Sequence, residues 1–407
     1  MKKLILSAVA VMSMAGAVQA AETISESLTN GKFSVDARVY YFDRRFDKTG
    51  TMNATSLTAG GIMKYVSDDY MGFNAGFAYY SSNSIGGVYD KSEGTGSSNL
   101  QSNGDNINLL GQAYLEYKVA KTIIKVGRQA LSTPVMNGYD ARTVPTAYEA
   151  VVVINKDLLD TTIELDYVWA STGFGSKNND FLDNESSWGE SGLASISVIN
   201  NSYEPLKVRA QYVQAVSDTY DANGTTAGQD QDITVTNYRY ADINYAIPFG
   251  EKTYLKAQYG GNSYKASGAD DSMMVGVKVG TTVSIVDLAL LFNQIQDNDF
   301  KEVRSGVMYS AWQIGYDDKE PSTAFGVQVI LKPMAGLSLK AGYVDVSSDE
   351  TLKKDDFTEA NFDGKYALNS ISNIRVRYSV RNVSSAAKDD TGVNDRTDFR
   401  IIYGVKF

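Results

Sequence analysis

The last eleven residues, Thr397–Phe407, alternate with a period of two: Phe399, Ile401, Tyr403, Val405 and Phe407 share one face, and Asp398, Arg400, Ile402, Gly404 and Lys406 share the other. That pattern specifies a strand with one apolar side and one mostly polar side. Two kinds of chain satisfy it. A soluble sandwich turns the apolar side to a core, and a membrane barrel turns it to lipid. The rest of the sequence must therefore supply either a core or a membrane.

At the front, Lys2 and Lys3 precede an apolar run from Leu4 to about Val18, followed by the small-residue pair Val18 and Ala20. This predicts a cleaved secretory signal peptide over residues 1–20 and one mature domain over residues 21–407. The run is shorter than the ~20 apolar residues of a spanning helix, and Ser7, Ser13 and Gly16 dilute it. No later segment reaches ~18 consecutive apolar residues, so any crossing of a membrane is left to strands.

A chain of 407 residues would ordinarily hold two or more soluble domains. No linker divides this one: Pro numbers only 6, no charged or Pro-rich run interrupts the chain, and strand-like segments continue from Phe33 to Phe407. The 27 Tyr, 35 Gly and 15 Phe suit a large barrel with aromatic belts at two membrane interfaces. A formal charge of −10, more negative still without Lys2 and Lys3, argues against nucleic acid as a partner. The acidic surplus sits in expected loops, at Asp270–Asp271, Asp317–Asp318, Asp355–Asp356 and Asp389–Asp390. Such pairs read either as solvated loop tips or as sites for divalent cations near anionic lipid. With no Cys, the chain holds together without disulfides, and with no His it lacks both a His general base and imidazole zinc ligands. No cofactor, resident metal or catalytic step is expected.

Eighteen candidate strands run from Phe33–Phe46 to Thr397–Phe407 and include Tyr70–Ser82, Thr122–Leu131, Thr146–Asn155 and Asn373–Asn382. Their connections fall into two alternating classes. Short ones include Ser67–Tyr70, Val119–Lys121, Lys156–Asp160, Pro248–Glu251 and Pro333–Gly336, and long ones include Asn83–Asn106, Thr172–Gly192, Ser217–Ile233, Gln296–Thr323 and Ser347–Asp356. Short periplasmic turns and long extracellular loops are the outer-membrane pattern. The expected fold is therefore all-β: a transmembrane antiparallel β-barrel of about 18 strands, with 16 as the fallback. Ser310–Asp317 is itself strand-like, but adding it would make the count odd, so it is read as part of a long loop.

Along Asn373–Asn382, Ile374, Val376, Tyr378 and Val380 face one way, while Arg375, Arg377, Ser379 and Arg381 face the other. A charge on the lipid face costs about 2–4 kcal/mol near the midplane, so the arginines belong in the lumen. Arg38, Lys125, Lys207, Arg209, Lys256 and Lys340 occupy equivalent positions on other outward-running strands. A ladder of such cations would concentrate small anions and ease a carboxylate through a constriction. The bland alternative is pairing with Glu116, Glu149, Glu164 and Asp166 on neighbouring strands.

The stretch IKVGRQALSTPVMNGYDARTVPTAYEA, Ile124–Ala150, resembles the OprD-type family of outer-membrane porins through Gly127, Pro134, Asp140, Arg142, Pro145 and Tyr148. The resemblance implies an eighteen-stranded barrel, monomeric or trimeric, with a narrow substrate-selective pore and a basic ladder, matched here by Arg375 and Arg377 and by Arg38. Tyr309–Asp317 is similar to a second family stretch, although Ala311 stands where the family has Ser and Ala150 where it has Gly. Pro134 and Pro145 cannot donate ladder hydrogen bonds, so the chain between them must leave the wall as a constriction loop. Within it, Asp140 and Arg142 either set a transverse field or pair locally. The implied function is passive, selective diffusion of small hydrophilic solutes across the outer membrane, with carboxylate-bearing nutrients such as organic acids or amino acids favoured. A structural or adhesive barrel that binds a partner through its long loops is the alternative. Phe407 resembles the terminal aromatic signal read by the barrel-assembly machinery.

Overall fold

The computed structural model describes residues 21–47, 53–89, 99–101, 104–138, 142–172, 181, 192–216, 235–248, 252–264, 270–301, 306–310, 321–348, 356–384 and 395–407. The signal peptide expected over residues 1–20 lies outside them. A short helix, α1 (Ile24–Thr29), comes first. It is followed by β1 (Lys32–Phe46), β2 (Ala54–Val66), β3 (Phe73–Tyr89), β4 (Ile107–Val119), β5 (Thr122–Gln129) and β6 (Tyr148–Asn155). Then come β7 (Thr161–Ser171), β8 (Leu193–Tyr203), β9 (Leu206–Ala215), β10 (Val235–Ile247), β11 (Thr253–Tyr264) and β12 (Ser272–Val283). The last six are β13 (Val286–Gln296), β14 (Ser322–Met334), β15 (Leu337–Ser348), β16 (Phe357–Ala367), β17 (Ser372–Val383) and β18 (Arg396–Lys406).

Every strand pairs antiparallel with its neighbours in sequence, and β1 also pairs with β18, so the 18-stranded sheet closes on itself. Closure removes both sheet edges. The seam runs in unbroken register from Asp36↔Lys406 to Phe46↔Arg396. Eighteen is thus the number among the described residues. The strand-like stretch Ser310–Asp317 begins in a turn at Ser310, and its remainder lies outside the described residues.

Burial is inverted relative to a soluble protein. Leu290 and Phe325 are 68% and 61% exposed, whereas Asp398, Ser379 and Ser82 on inward faces are wholly buried. Apolar side chains out and polar ones in is what lipid outside and water inside select. On β18 the expected faces appear: Ile401 and Tyr403 are exposed, while Asp398 and Arg400 are buried.

The interior is not open throughout, because two long connections fold into it. Leu131, Val135 and Met136, from the segment between β5 and β6, pack on Tyr148, Val152, Val168, Val213 and Tyr240 of the wall. Phe300 and Met308, between β13 and β14, pack on Met274, Leu291, Val344 and Val346. Val307 touches both clusters, so the two infolded segments meet.

Strand ends depart from the sequence reading where these features begin. β5 stops at Gln129 and β6 starts at Tyr148, so Leu131 and Thr146, expected in the ladder, belong to the infolded loop. The Thr146 N–H turns to the Gly138 carbonyl at 2.8 Å instead. β3 begins at Phe73 rather than Tyr70 because Met71 and Gly72 have positive φ, closing a turn in which the Gly72 N–H donates to Asp69 Oδ1 at 2.9 Å.

Candidate functional site

The described parts of the loop, up to Gly138 and from Arg142 onward, are held by polar contacts with opposite parts of the wall. On the β9 side, the Val135 N–H donates to Gln211 Oε1 at 2.9 Å and Gln211 Nε2 donates to Thr133 Oγ1 at 3.0 Å. On the β1–β2 side, Arg38 Nη1 donates to the Arg142 carbonyl at 2.8 Å, and the Thr143 and Thr58 hydroxyls are 2.9 Å apart. The Tyr148 hydroxyl, at the start of β6, supports the middle by donating to the Asn137 carbonyl at 2.9 Å. Pro145 lies beside Gly138. Asp140 falls outside the described residues.

Where this loop approaches β1, β17 and β18, it leaves a cavity of about 130 Å³. Arg38, Arg142, Lys365, Arg375, Arg377 and Lys406 line it, with Asp36 as the lining carboxylate. Backbone register explains the gathering. Arg377 sits opposite Arg400 and Asp363, Arg375 opposite Lys365, and Arg38 opposite Gly404, whose missing side chain leaves room in front of the wall. Asp363 accepts from Arg375, with Nε 2.7 Å from Oδ1, and lies 3.4 Å from Arg377 Nε. Arg38 Nη2 is 2.9 Å from Asp36 Oδ2, which Lys406 also approaches at 2.8 Å. The carboxylates here orient the cations and leave an excess of positive charge.

The other expected ladder residues lie on the same inner surface but are spread around it. Arg209 pairs with Asp242 at 2.9 Å, and Lys207 stands half-buried two residues before it on the same strand face. Lys256 is in register with Lys278 on β12, and Lys278 Nζ reaches Gln328 Oε1 at 2.8 Å. Lys340 is opposite Asp363. The basic positions therefore form an arc from β9 round to β1 rather than one column. Lys125 is separate from that arc, pairing with Glu116 at 2.9 Å and lying over the Tyr114 ring. The suggested pairing of these carboxylates with ladder cations holds for Glu116, which takes Lys125; Glu149 instead accepts from Arg128, outside the expected ladder, at 2.8 Å. Among the described residues, Glu164 and Asp166 form no salt bridge. Asp271, one of the acidic loop pairs, is tied to Arg239 at 3.1 Å.

Pro134 lines a second cavity with Leu131, Thr133, Arg209, Tyr240 and Tyr309, between the two infolded segments. Burial, and then the Asp242 carboxylate, push the Tyr309 phenol upward, so it remains a neutral hydrogen-bonding group.

One cluster was missed by reading strands singly. Asp398 accepts from Arg44 Nε at 3.1 Å, Arg396 Nε at 2.9 Å and Arg400 Nη2 at 3.0 Å. The guanidinium groups of Arg44, Arg142 and Arg400 all lie within 5.6 Å of the Phe42 ring centre. Arg381 stacks on Phe357 at 4.0 Å and pairs with Glu359 at 3.2 Å. Lys278 was missed too, although its place between Val277 and Val279 carries the alternating signal.

The comparisons agree with this architecture. The family model described as "outer membrane porin, OprD family" matches residues 26–402. Among solved structures, OccK9 (OpdG) of Pseudomonas aeruginosa superposes with a TM-score of 0.75 at 14% identity, over 94% of this chain and 99% of that one. OpdK of the same organism, crystallised with vanillate, gives 0.74 at 14% identity over 93% and 99%. Acinetobacter baumannii OccAB1 gives 0.74 at 14% identity over 93% and 96%. At these identities the likeness concerns the fold. No curated protein sequence matches the chain.

Proposed function

The chain belongs to the OprD family of outer-membrane porins, and from that premise we propose that it passes small hydrophilic solutes selectively, favouring those that carry a carboxylate. The observation that carries this reading is the cavity between the infolded loop and the seam strands, where Arg38, Arg142, Lys365, Arg375, Arg377 and Lys406 face Asp36. A carboxylate entering a narrow aqueous path loses part of its hydration shell, and fixed cations in a low-dielectric wall replace it. The arc of Arg209, Lys256, Lys278 and Lys340 extends the favourable potential along the wall, so a solute moves between sites without being trapped in one. OpdK was crystallised with vanillate, a carboxylate, which supports the same chemistry here. No bond is made or broken in this process, and the protein's part is electrostatic selection.

In this reading the chain is exported by a signal peptide over residues 1–20, functions as a single barrel domain over 21–407, and is inserted through recognition of Phe407 by the assembly machinery. It acts as a monomer or a trimer. Planar-bilayer recording in a salt gradient tests the selectivity. The wild type is expected to show a reversal potential on the anion-selective side, and Arg375→Ala/Arg377→Ala to move it toward zero. An unchanged potential in the double variant removes these arginines from the selectivity path, and a refolded protein that never opens discrete channels refutes the porin reading.

A further inference from the structure

We propose that α1 is an interfacial foot that seats the barrel in the periplasmic leaflet, with Ile24 and Leu28 inserted at the boundary between phospholipid headgroups and acyl chains. The helix is held against the outer surface of the barrel, not its lumen. Tyr65 on β2 marks that surface. Its register partners Phe33 and Phe77 are 61% and 47% exposed, while the adjacent Lys64 turns inward, over the Tyr114 ring. The Tyr65 hydroxyl donates to the Leu28 carbonyl at the end of α1. Gly31 follows so closely that a Cβ there would run into the Tyr65 ring.

Further contacts fix the orientation. The Ala21 N–H donates to the Asp69 carbonyl at 2.9 Å, the Ser27 hydroxyl to the Asp68 carbonyl at 2.6 Å, and the Asp68 N–H to the Ser27 carbonyl at 2.9 Å. Thr23 caps the first turn by accepting from the Glu26 N–H. A helix of 6 residues does not persist alone in water. Pinned to the turn between β2 and β3, it holds one fixed face outward.

That face is apolar where it continues the lipid-facing band. Ile24 and Leu28, four residues apart and therefore adjacent on the helix, are 63% and 53% exposed and close in sequence to exposed Phe33. Glu22 and Glu26 occupy another side, joined by the Glu22 N–H to Glu26 Oε2 contact at 2.8 Å. Ser27 takes the docking side. A helix with apolar residues directed to lipid and acids to water, set beside an aromatic girdle, has the arrangement of an interfacial helix. Continuity with the Phe33, Tyr65 and Phe77 surface selects phospholipid as the occupant.

The chain contains no Cys, so single-site labelling tests this cleanly. Leu28→Cys and, on the opposite side, Glu26→Cys are labelled with an environment-sensitive fluorophore on full-length protein refolded into phosphatidylcholine vesicles. Lipids brominated near the top of the acyl chain and aqueous iodide serve as quenchers. The expected result is blue-shifted emission at Leu28→Cys, lost with bromolipid and insensitive to iodide, with the reverse at Glu26→Cys. Quenching of the Leu28 label by iodide alone places α1 in water and overturns the proposal. Shielding from both quenchers shows a second copy of the chain covering this face, which also overturns it. Ile24→Cys, assayed in the same way, is an independent second reading, and channel formation by each labelled protein reports that the barrel is folded.

Discussion

Asp398 is wholly buried and receives three guanidinium groups, from Arg44, Arg396 and Arg400. Removing one partner of such an arrangement leaves charge without compensation, at a cost of about 3–5 kcal/mol. Asp398→Ala is therefore expected to lower the urea midpoint of the barrel in detergent, whereas Arg45→Ala, at an exposed pair with Asp43, changes it little. Asp363 gives a functional counterpart. Because it partly neutralises Arg375 and Arg377, Asp363→Asn is expected to raise anion preference in a salt-gradient reversal measurement, opposite in sign to removal of the arginines. The inward direction of Arg375, Arg377 and Arg400 was legible in the sequence, since alternation with period two is a local property. Their partners were not: Arg44 and Asp398 meet across the seam, 354 residues apart, and only the pairing register of β1 with β18 brings them together.

Among elements, the infolded loop is the one whose chemistry and geometry can be separated. Pro134 and Pro145 announce that the backbone leaves the wall, and the structure takes the loop off between β5 and β6. The exact departure points were misread because Leu131 and Thr146 look like strand residues. Leu131 is apolar for a different purpose, packing the loop onto the inner wall beside Val152 and Val168. Gln211 is the hinge of that attachment, bonding both Val135 and Thr133. Gln211→Ala is expected to keep the far-ultraviolet strand signature while raising single-channel conductance and weakening ion discrimination, as the loop loses its anchor on β9. Equal conductance in wild type and variant would place the narrowest point elsewhere.

For the whole molecule, a barrel is easier to read from sequence than most folds of this length. Each strand states its own two faces, and the order of short and long connections states which rim is which. The infolding of the two loops and their meeting at Val307 had no such signature, because they depend on which wall residues stand opposite each other across the lumen. The chain end is a global feature as well. The Phe407 N–H donates to the Val35 carbonyl at 3.1 Å, and its own carbonyl accepts from the Val35 N–H at 2.7 Å, so the last residue extends the seam. Deleting Phe407 is expected to reduce the amount of folded protein in outer-membrane fractions while the channels that do form keep their conductance. Normal membrane levels of the truncated chain would contradict this. The same seam has a temporal meaning. The basic cavity takes Arg38 and Tyr40 from β1, Arg375 and Arg377 from β17, and Lys406 from β18, so its two sides are the first and last strands of the chain. Until the ends of the polypeptide join, that cavity does not exist: the proposed filter is completed by the same pairing that seals the wall.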